Sequence, residues 1–269
     1  MKSLKSKIIL LIGPSAAGKS VLKNEFIKQH QSYELIDDLD VLLEYFKLER
    51  LVIEAYNHQK LKKDLENFQE YSVFLKDLTE DYLQELKDGV KFPKAKYCRK
   101  INDQAMEVIN PLVWDELIVR LLKNIDPNKK YIVEFARGHD QAFMQCFNLD
   151  ANKIYTHTIK NLINKVKVDN LSILHITSSF NNRLKRNDSR AKLTGQCVPK
   201  EVMDSVFKEE IFFPKYNVSE DKNVRTGSLK ISQYQIPVIT INNDKELKED
   251  ELKKYLNESI SKIKKYLEL

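Results

Sequence analysis

The chain has 269 residues, 42% hydrophobic and 31% charged, which is enough to bury a sizeable core in one large domain or in a core with an inserted lobe. No apolar stretch nears the length of a membrane span, so no membrane partner is expected. The net charge is +6, but only eight of the 45 basic residues are arginine; lysine spread over helices is commonly a hydrated surface, so nucleic-acid binding is compatible with the charge without following from it.

In chain order, basic Met1–Lys7 runs into the apolar stretch Ile8–Ile12. A secretory leader has that order, but Gly13 breaks the run early, and a buried first strand over 7–12 fits better. Residues 19–30 read as a helix with Val21, Leu22 and Phe26 on one face. Tyr33–Ile36 reads as a second strand ending in Asp37-Asp38-Leu39-Asp40. Residues 41–88 carry an almost unbroken helical pattern that stops at Gly89. Lys91–Lys100 reads as a loop, and 103–125 as a further helix, kinked near Pro111. A turn at Asp126-Pro127-Asn128 leads to a strand over Lys130–Phe135. A helix over about 152–168, a strand at Leu171–Ile176, a charged helix at 181–192 and a helix at 199–210 follow. Residues 214–234 read as irregular, Ile236–Ile241 as the last strand, and 244–268 as an amphipathic closing helix. This alternation predicts an α/β fold, a mostly parallel five-stranded sheet with helices on both faces. One domain is expected over 1–269, with a helical substrate-binding region at 41–125 and a lid at 179–210.

Cys98, Cys146 and Cys197 form no C-x-x-C pair, which suggests reduced thiols and a cytoplasmic location. His30, His58, His139, His157 and His175 are scattered, so a zinc site is not expected.

The most specific feature is Gly13-Pro14-Ser15-Ala16-Ala17-Gly18-Lys19-Ser20, a G-x-x-x-x-G-K-S element between a strand and a helix. In that context all eight residues line a polyphosphate. The glycines permit the tight turn, backbone N–H groups point inward, Lys19 reaches the outer phosphates, and Ser20 offers a hydroxyl to Mg²⁺. An ordinary tight turn is the plain alternative.

Asp37, Asp38 and Asp40 end the second strand, on the edge where ligands of open α/β sheets sit. Alternate residues share a side, so Asp38 and Asp40 form a natural pair to orient an acceptor hydroxyl and take its proton, and Asp37 points away. Capping of the next helix is the other reading. Glu134 ends the 130–135 strand on the same edge as a candidate for Mg²⁺, and Arg137 follows as a candidate fork for an acceptor phosphate; a surface ion pair is the alternative. Arg183, Arg186 and Arg190 share one helical face. That face suits either a charged group in transfer or plain solvation.

Together these residues resemble the P-loop kinases of the nucleoside/nucleotide (monophosphate) kinase-like type. Lys19 and Ser20 match that family's phosphate and metal positions. The acidic end of strand two is similar to the family's substrate-binding or base residues. Glu134 and Arg137 are similar in placement to its Glu-Arg element, although here two residues intervene. Arg183–Arg190 looks like its lid. The resemblance implies ATP and Mg²⁺ as cofactors, Asn242 near the adenine, and phosphoryl transfer to a small acceptor, a nucleoside or nucleotide ahead of a sugar-like metabolite. A nucleic-acid kinase or RNA-associated ATPase remains the alternative, hinted at by Lys94, Lys96, Arg99 and Lys100. A homodimer is left open.

Overall fold

The run Lys7–Ile12 becomes the central strand of a seven-stranded sheet because it is apolar on both faces, as a doubly covered parallel strand must be. The computed structural model describes residues 7–38, 98–102, 105–111, 113–114, 128–166, 170–194, 197–217, 223–245 and 249–267, with single positions 42, 84, 88, 89, 122 and 126. The chain divides into two compact units, one of Met1–Asp38 with Trp114–Leu269 and one of Leu39–Val113.

In the larger unit, β1 (Lys7–Ile12), β2 (Tyr33–Asp37), β5 (Lys130–Phe135), β6 (Leu171–Thr177), β8 (Val224–Ile231) and β9 (Tyr234–Asn242) join a two-residue β7 (Lys215–Tyr216). Their order is β2-β5-β1-β6-β9-β8-β7. The first five are mutually parallel, and β8 and β7 extend the sheet antiparallel. The five-strand expectation is therefore corrected to seven. The added strands come from 214–234, where the sequence reads as irregular. The β8–β9 hairpin turns at Ser232-Gln233 with Ser232 at φ 52°, so it lacks the Asn-Gly or Gly signature that announces such a turn.

Strand pleating splits the core into two layers. Ile8, Leu10 and Ile12 face α2 (Gln141–Phe147) and α3 (Ile154–Val166), packing with Phe143, Tyr155, Ile159 and Leu162. Ile9 and Leu11 face α1 (Lys19–Gln29) and α6 (Glu249–Leu267), packing with Leu22, Phe26, Ile260 and Ile263. Helix α4 (Phe180–Thr194) follows β6, and the short α5 (Lys200–Ser205) opens behind Pro199. The expected helix at 199–210 is thus shortened. Its last residues form a turn and bends over 206–209 before the chain enters the core at Ile211 and Phe212. From β1 the chain passes to β2 and β5 on one side and to β6 and β9 on the other, so the crevice above the carboxyl end of β1 is the topological switch point.

In the smaller unit, β3 (Cys98–Asn102) and β4 (Ala105–Val108) form an antiparallel hairpin. It replaces the loop expected up to Lys100 and the start of the helix expected from 103. Apart from positions 42, 84 and 88, the helical pattern at 41–88 lies outside the described residues, as do Asp40, Lys94 and Lys96. Among the described residues, no helix is long and apolar enough to cross a membrane.

Candidate active site

Gly13 leaves β1 at φ 146°, and a Cβ there would stand 2.2 Å from the Ile176 carbonyl oxygen. Gly18, at φ 101°, caps α1, and its Cβ would meet Asn243 Nδ2 at 2.2 Å. Both positions need glycine for space as well as dihedral. Between them Ala16 is held at φ 61°. Ala17 N–H donates to the Pro14 carbonyl at 3.3 Å. Among the described residues it is the one N–H from Ser15 to Lys19 with a protein acceptor, so the others can meet a ligand. Lys19 is buried, its ammonium donating to the Gly13 and Pro14 carbonyls at 3.0 and 3.1 Å. Desolvation holds this amine below the usual lysine range, against the pull of Glu134, Asp38 and Asp37, while Arg190 pushes the same way as burial. A buried ammonium folded onto two carbonyls, beside uncommitted amides at a helix N-terminus, suits the outer phosphates of a nucleotide. Ser20 is exposed in the first turn of α1, and its hydroxyl is the donor such a loop offers a magnesium ion.

One turn further along α1, Lys23 is only 7% exposed. Its ammonium lies 3.0 Å from Asp37 Oδ2 and 2.6 Å from Glu134 Oε2. Asp37 and Glu134 are register partners on β2 and β5. Desolvation opposes the charge on Lys23, but hydrogen bonds and charge from Glu134 and Asp37 outweigh it and hold the ammonium above its usual range. Asp37, expected to point away, therefore belongs to the site. Asp38, the first residue after β2, turns the other way, where Oδ2 accepts from Ala136 N–H at 3.3 Å and lies 3.7 Å from Arg137 Nη1. Burial raises the Asp38 carboxyl to about 6, with Asp37 adding to the rise and Arg137, Lys19 and the Ala136 N–H opposing it.

Arg137 is buried between the rings of Trp114 and Phe135, its guanidinium carbon 5.1 Å from each centroid. Nη1 donates to the Ala136 carbonyl and Nη2 to the Trp114 carbonyl, each at 2.6 Å. Tyr155 fixes its backbone, the phenol accepting from Arg137 N–H at 3.1 Å and donating to its carbonyl at 3.2 Å. This arginine is an anchored neighbour of Asp38, with both terminal nitrogens engaged by backbone.

The arginine face of α4 divides three ways. Arg183, 3% exposed, donates from Nε to the Ser178 carbonyl, from Nη1 to the Phe207 carbonyl and from Nη2 to the Lys208 carbonyl, clamping the segment after α5. Arg186 reaches the phosphate loop, donating to the Asn243 carbonyl at 2.7 Å, to Ser178 Oγ at 3.2 Å and to the Ala17 carbonyl at 3.4 Å. Arg190 is exposed and close enough for its charge to act on Lys19. It donates to Asn187 Oδ1 at 3.1 Å, and Asn187 pins the returning chain at Val198 through both its amide groups.

The turn after β9 joins these parts. Asn243 Nδ2 donates to the Ala17 carbonyl at 2.8 Å. Asp244 Oδ1 accepts from Ser178 Oγ, Ser179 N–H and Asn182 Nδ2 at the start of α4. Its burial would raise its carboxyl, but these donors win and hold it below the usual range. Asn242, expected near an adenine, sits at this turn, its Oδ1 buried.

Sequence reasoning missed Lys23, Asp244 and the pair of buried His175 with half-buried Glu210, Nε2 to Oε2 3.3 Å. The signal for Lys23 was present: it stands four residues after Lys19 and shares its helical face. Glu210 meets His175 through tertiary folding alone.

A scan against protein-family models finds no match. A search of curated proteins finds no similar sequence. Solved structures with a related course of chain include a Chloroflexus aurantiacus protein named as a candidate kinase, at 11% identity over 97% of this chain and 98% of that one, with a TM-score of 0.45. A sugar kinase from Janibacter matches at 10% identity, covering 98% and 95%, with a TM-score of 0.43. A gluconokinase from Sinorhizobium meliloti matches at 11% identity, covering 99% and 97%, with a TM-score of 0.38. All three scores lie below 0.5, so this chain's own residues carry the functional reading.

Proposed function

We propose that the chain is an ATP-dependent kinase that transfers the γ-phosphoryl group to a hydroxyl of a small acceptor. The observation that carries this is the convergence of the buried Lys19, the uncommitted loop amides and Asp38 at the carboxyl end of β1, β5 and β2. The loop amides and Lys19 bind the β and γ phosphates. Ser20 and Glu134 are the residues that would hold magnesium, whose charge offsets that of the phosphates. Asp38 orients the acceptor and takes the hydroxyl proton; a carboxyl raised to about 6 is ionised at neutral pH yet basic enough for the task. Arg186 and Arg190 add positive charge beside the loop, as a lid over 179–210 would. Asn242 and Asn243, at the turn against Ala17, would lie near the base of the nucleotide.

The arrangement favours an alcohol acceptor over a phosphate acceptor. A phosphate acceptor needs an arginine fork and no base. Arg137, which would supply that fork, gives both terminal nitrogens to backbone carbonyls. Nucleosides and sugar-like polyols carry the required hydroxyl and lead over nucleoside monophosphates.

The test is a thermal-shift screen of Mg–ATP with nucleosides, monophosphates, sugars and short oligonucleotides, followed by transfer of labelled γ-phosphate to each hit. A phosphorylated nucleoside or polyol is expected. Phosphorylation of monophosphates alone contradicts the acceptor class, and hydrolysis of ATP indifferent to every acceptor contradicts the kinase. Transfer to oligonucleotides with steeply salt-dependent affinity points to the nucleic-acid alternative.

A further inference from the structure

Asp37 and Glu134 stand opposite each other on neighbouring parallel strands, at the strand ends beside the phosphate loop. Adjacent strands run about 4.8 Å apart, close enough for two like charges to disfavour each other strongly. A bare carboxylate pair at that spacing is also the oxygen-donor set that divalent ions of the magnesium and manganese type prefer. Yet the pair is filled by the protein itself. The Lys23 ammonium contacts one oxygen of each, Asp37 Oδ2 at 3.0 Å and Glu134 Oε2 at 2.6 Å. Lys23 and Glu134 are each 7% exposed, so solvent screens this contact little. Around it the cations Lys19, Lys23 and Arg137 stand among the acids Asp37, Asp38 and Glu134. Among the described residues no group of three or more histidine, cysteine or acidic side chains makes a metal cage alone.

We propose that Lys23 is a resident cation that occupies the Asp37–Glu134 pair and keeps the free protein from taking up divalent metal, so that metal enters only with a polyphosphate. Lys23 is thus a positioning residue: it fixes Glu134 toward the loop before ligand arrives, and it sets the order in which metal and nucleotide bind. The inference rests on the proposed kinase reading for its purpose, but its central observable is a property of the nucleotide-free protein.

The test is manganese binding to the nucleotide-free protein, followed by electron paramagnetic resonance of free Mn²⁺, in the wild type, Lys23→Met and Lys23→Gln, with folding checked by thermal melts. The wild type should take up Mn²⁺ only weakly until ATP is added. Lys23→Met, or Lys23→Gln where methionine fails to fold, should bind Mn²⁺ without nucleotide at least about tenfold more tightly, because a like charge has left the pair. Adding Glu134→Gln should remove the gain. A purely structural ion pair predicts lower stability without this gain. Folded Lys23 variants that bind Mn²⁺ no better than the wild type overturn the proposal. So does a wild type whose Mn²⁺ uptake, after subtraction of the Mn²⁺ held by ATP alone in a protein-free control, is as tight without ATP as with it, a result that stands even where neither variant folds. Absence of phosphoryl transfer in the wild type would defeat the kinase reading and leave the manganese result intact.

Discussion

The two flanks of the phosphate loop handle their charges differently. On the β2–β5 flank, Lys23 pairs side chain to side chain with Asp37 and Glu134, and Arg137 lies near Asp38 while its terminal nitrogens donate to backbone carbonyls. On the β6–β9 flank, arginines of one helical face mostly address backbone, with Arg183 on the Ser178, Phe207 and Lys208 carbonyls and Arg186 on those of Asn243 and Ala17. The first flank is electrostatically poised for a ligand. The second is a scaffold with an exposed tip at Arg190. A shared helical face says which side chains point together, whereas burial and nearby carbonyls decide what each one does.

That contrast can be broken by substitution. The largest effect is expected for Lys19→Ala, which should cut transfer by about a thousandfold or more, read in single-turnover assays, because it removes the cation that offsets the charge on the transferred group. Asp38→Asn should lower kcat by roughly a hundredfold or more. In the wild type the rate should fall below a pH of about 6, where Asp38 takes up a proton and can no longer accept one, and this limb should vanish in the variant. A limb that persists in Asp38→Asn would assign the base elsewhere.

Arg183→Ala and Arg190→Ala sharpen the difference within α4. Loss of Arg183 strands buried carbonyls and should cost roughly 2–4 kcal/mol of stability, seen as a lower Tm. Loss of Arg190 should leave the Tm nearly unchanged and reduce kcat about tenfold or more. The smallest effect is expected for Asp244→Ala, which removes an acceptor from the start of α4 and should cost about 1 kcal/mol in denaturant unfolding.

The sequence makes one flank far more legible than the other. The central strand, the loop, α1 and the positions of Asp38 and Glu134 follow from apolar runs ending in chemistry-bearing residues. Lys23 was missed, although its helical spacing from Lys19 carried the signal. The side to which Asp37 points depends on the register of β2 against β5, which no local pattern fixes. Strand β8 escaped because its outer side is covered only by the two-residue β7, which tolerates polar residues along it, and because Ser232-Gln233 does not advertise a turn. The division of labour among Arg183, Arg186 and Arg190 escaped because their acceptors are backbone carbonyls from distant segments, brought near only by tertiary folding.

The measurement that bears most directly on the account is calorimetric titration of Mg–ATP into the wild type and Lys19→Ala. Saturable one-to-one binding that weakens by about a hundredfold or more in the variant is the predicted result. Equal affinity in the two proteins would contradict it, because the Gly13–Ser20 turn would then not be where the phosphates lie.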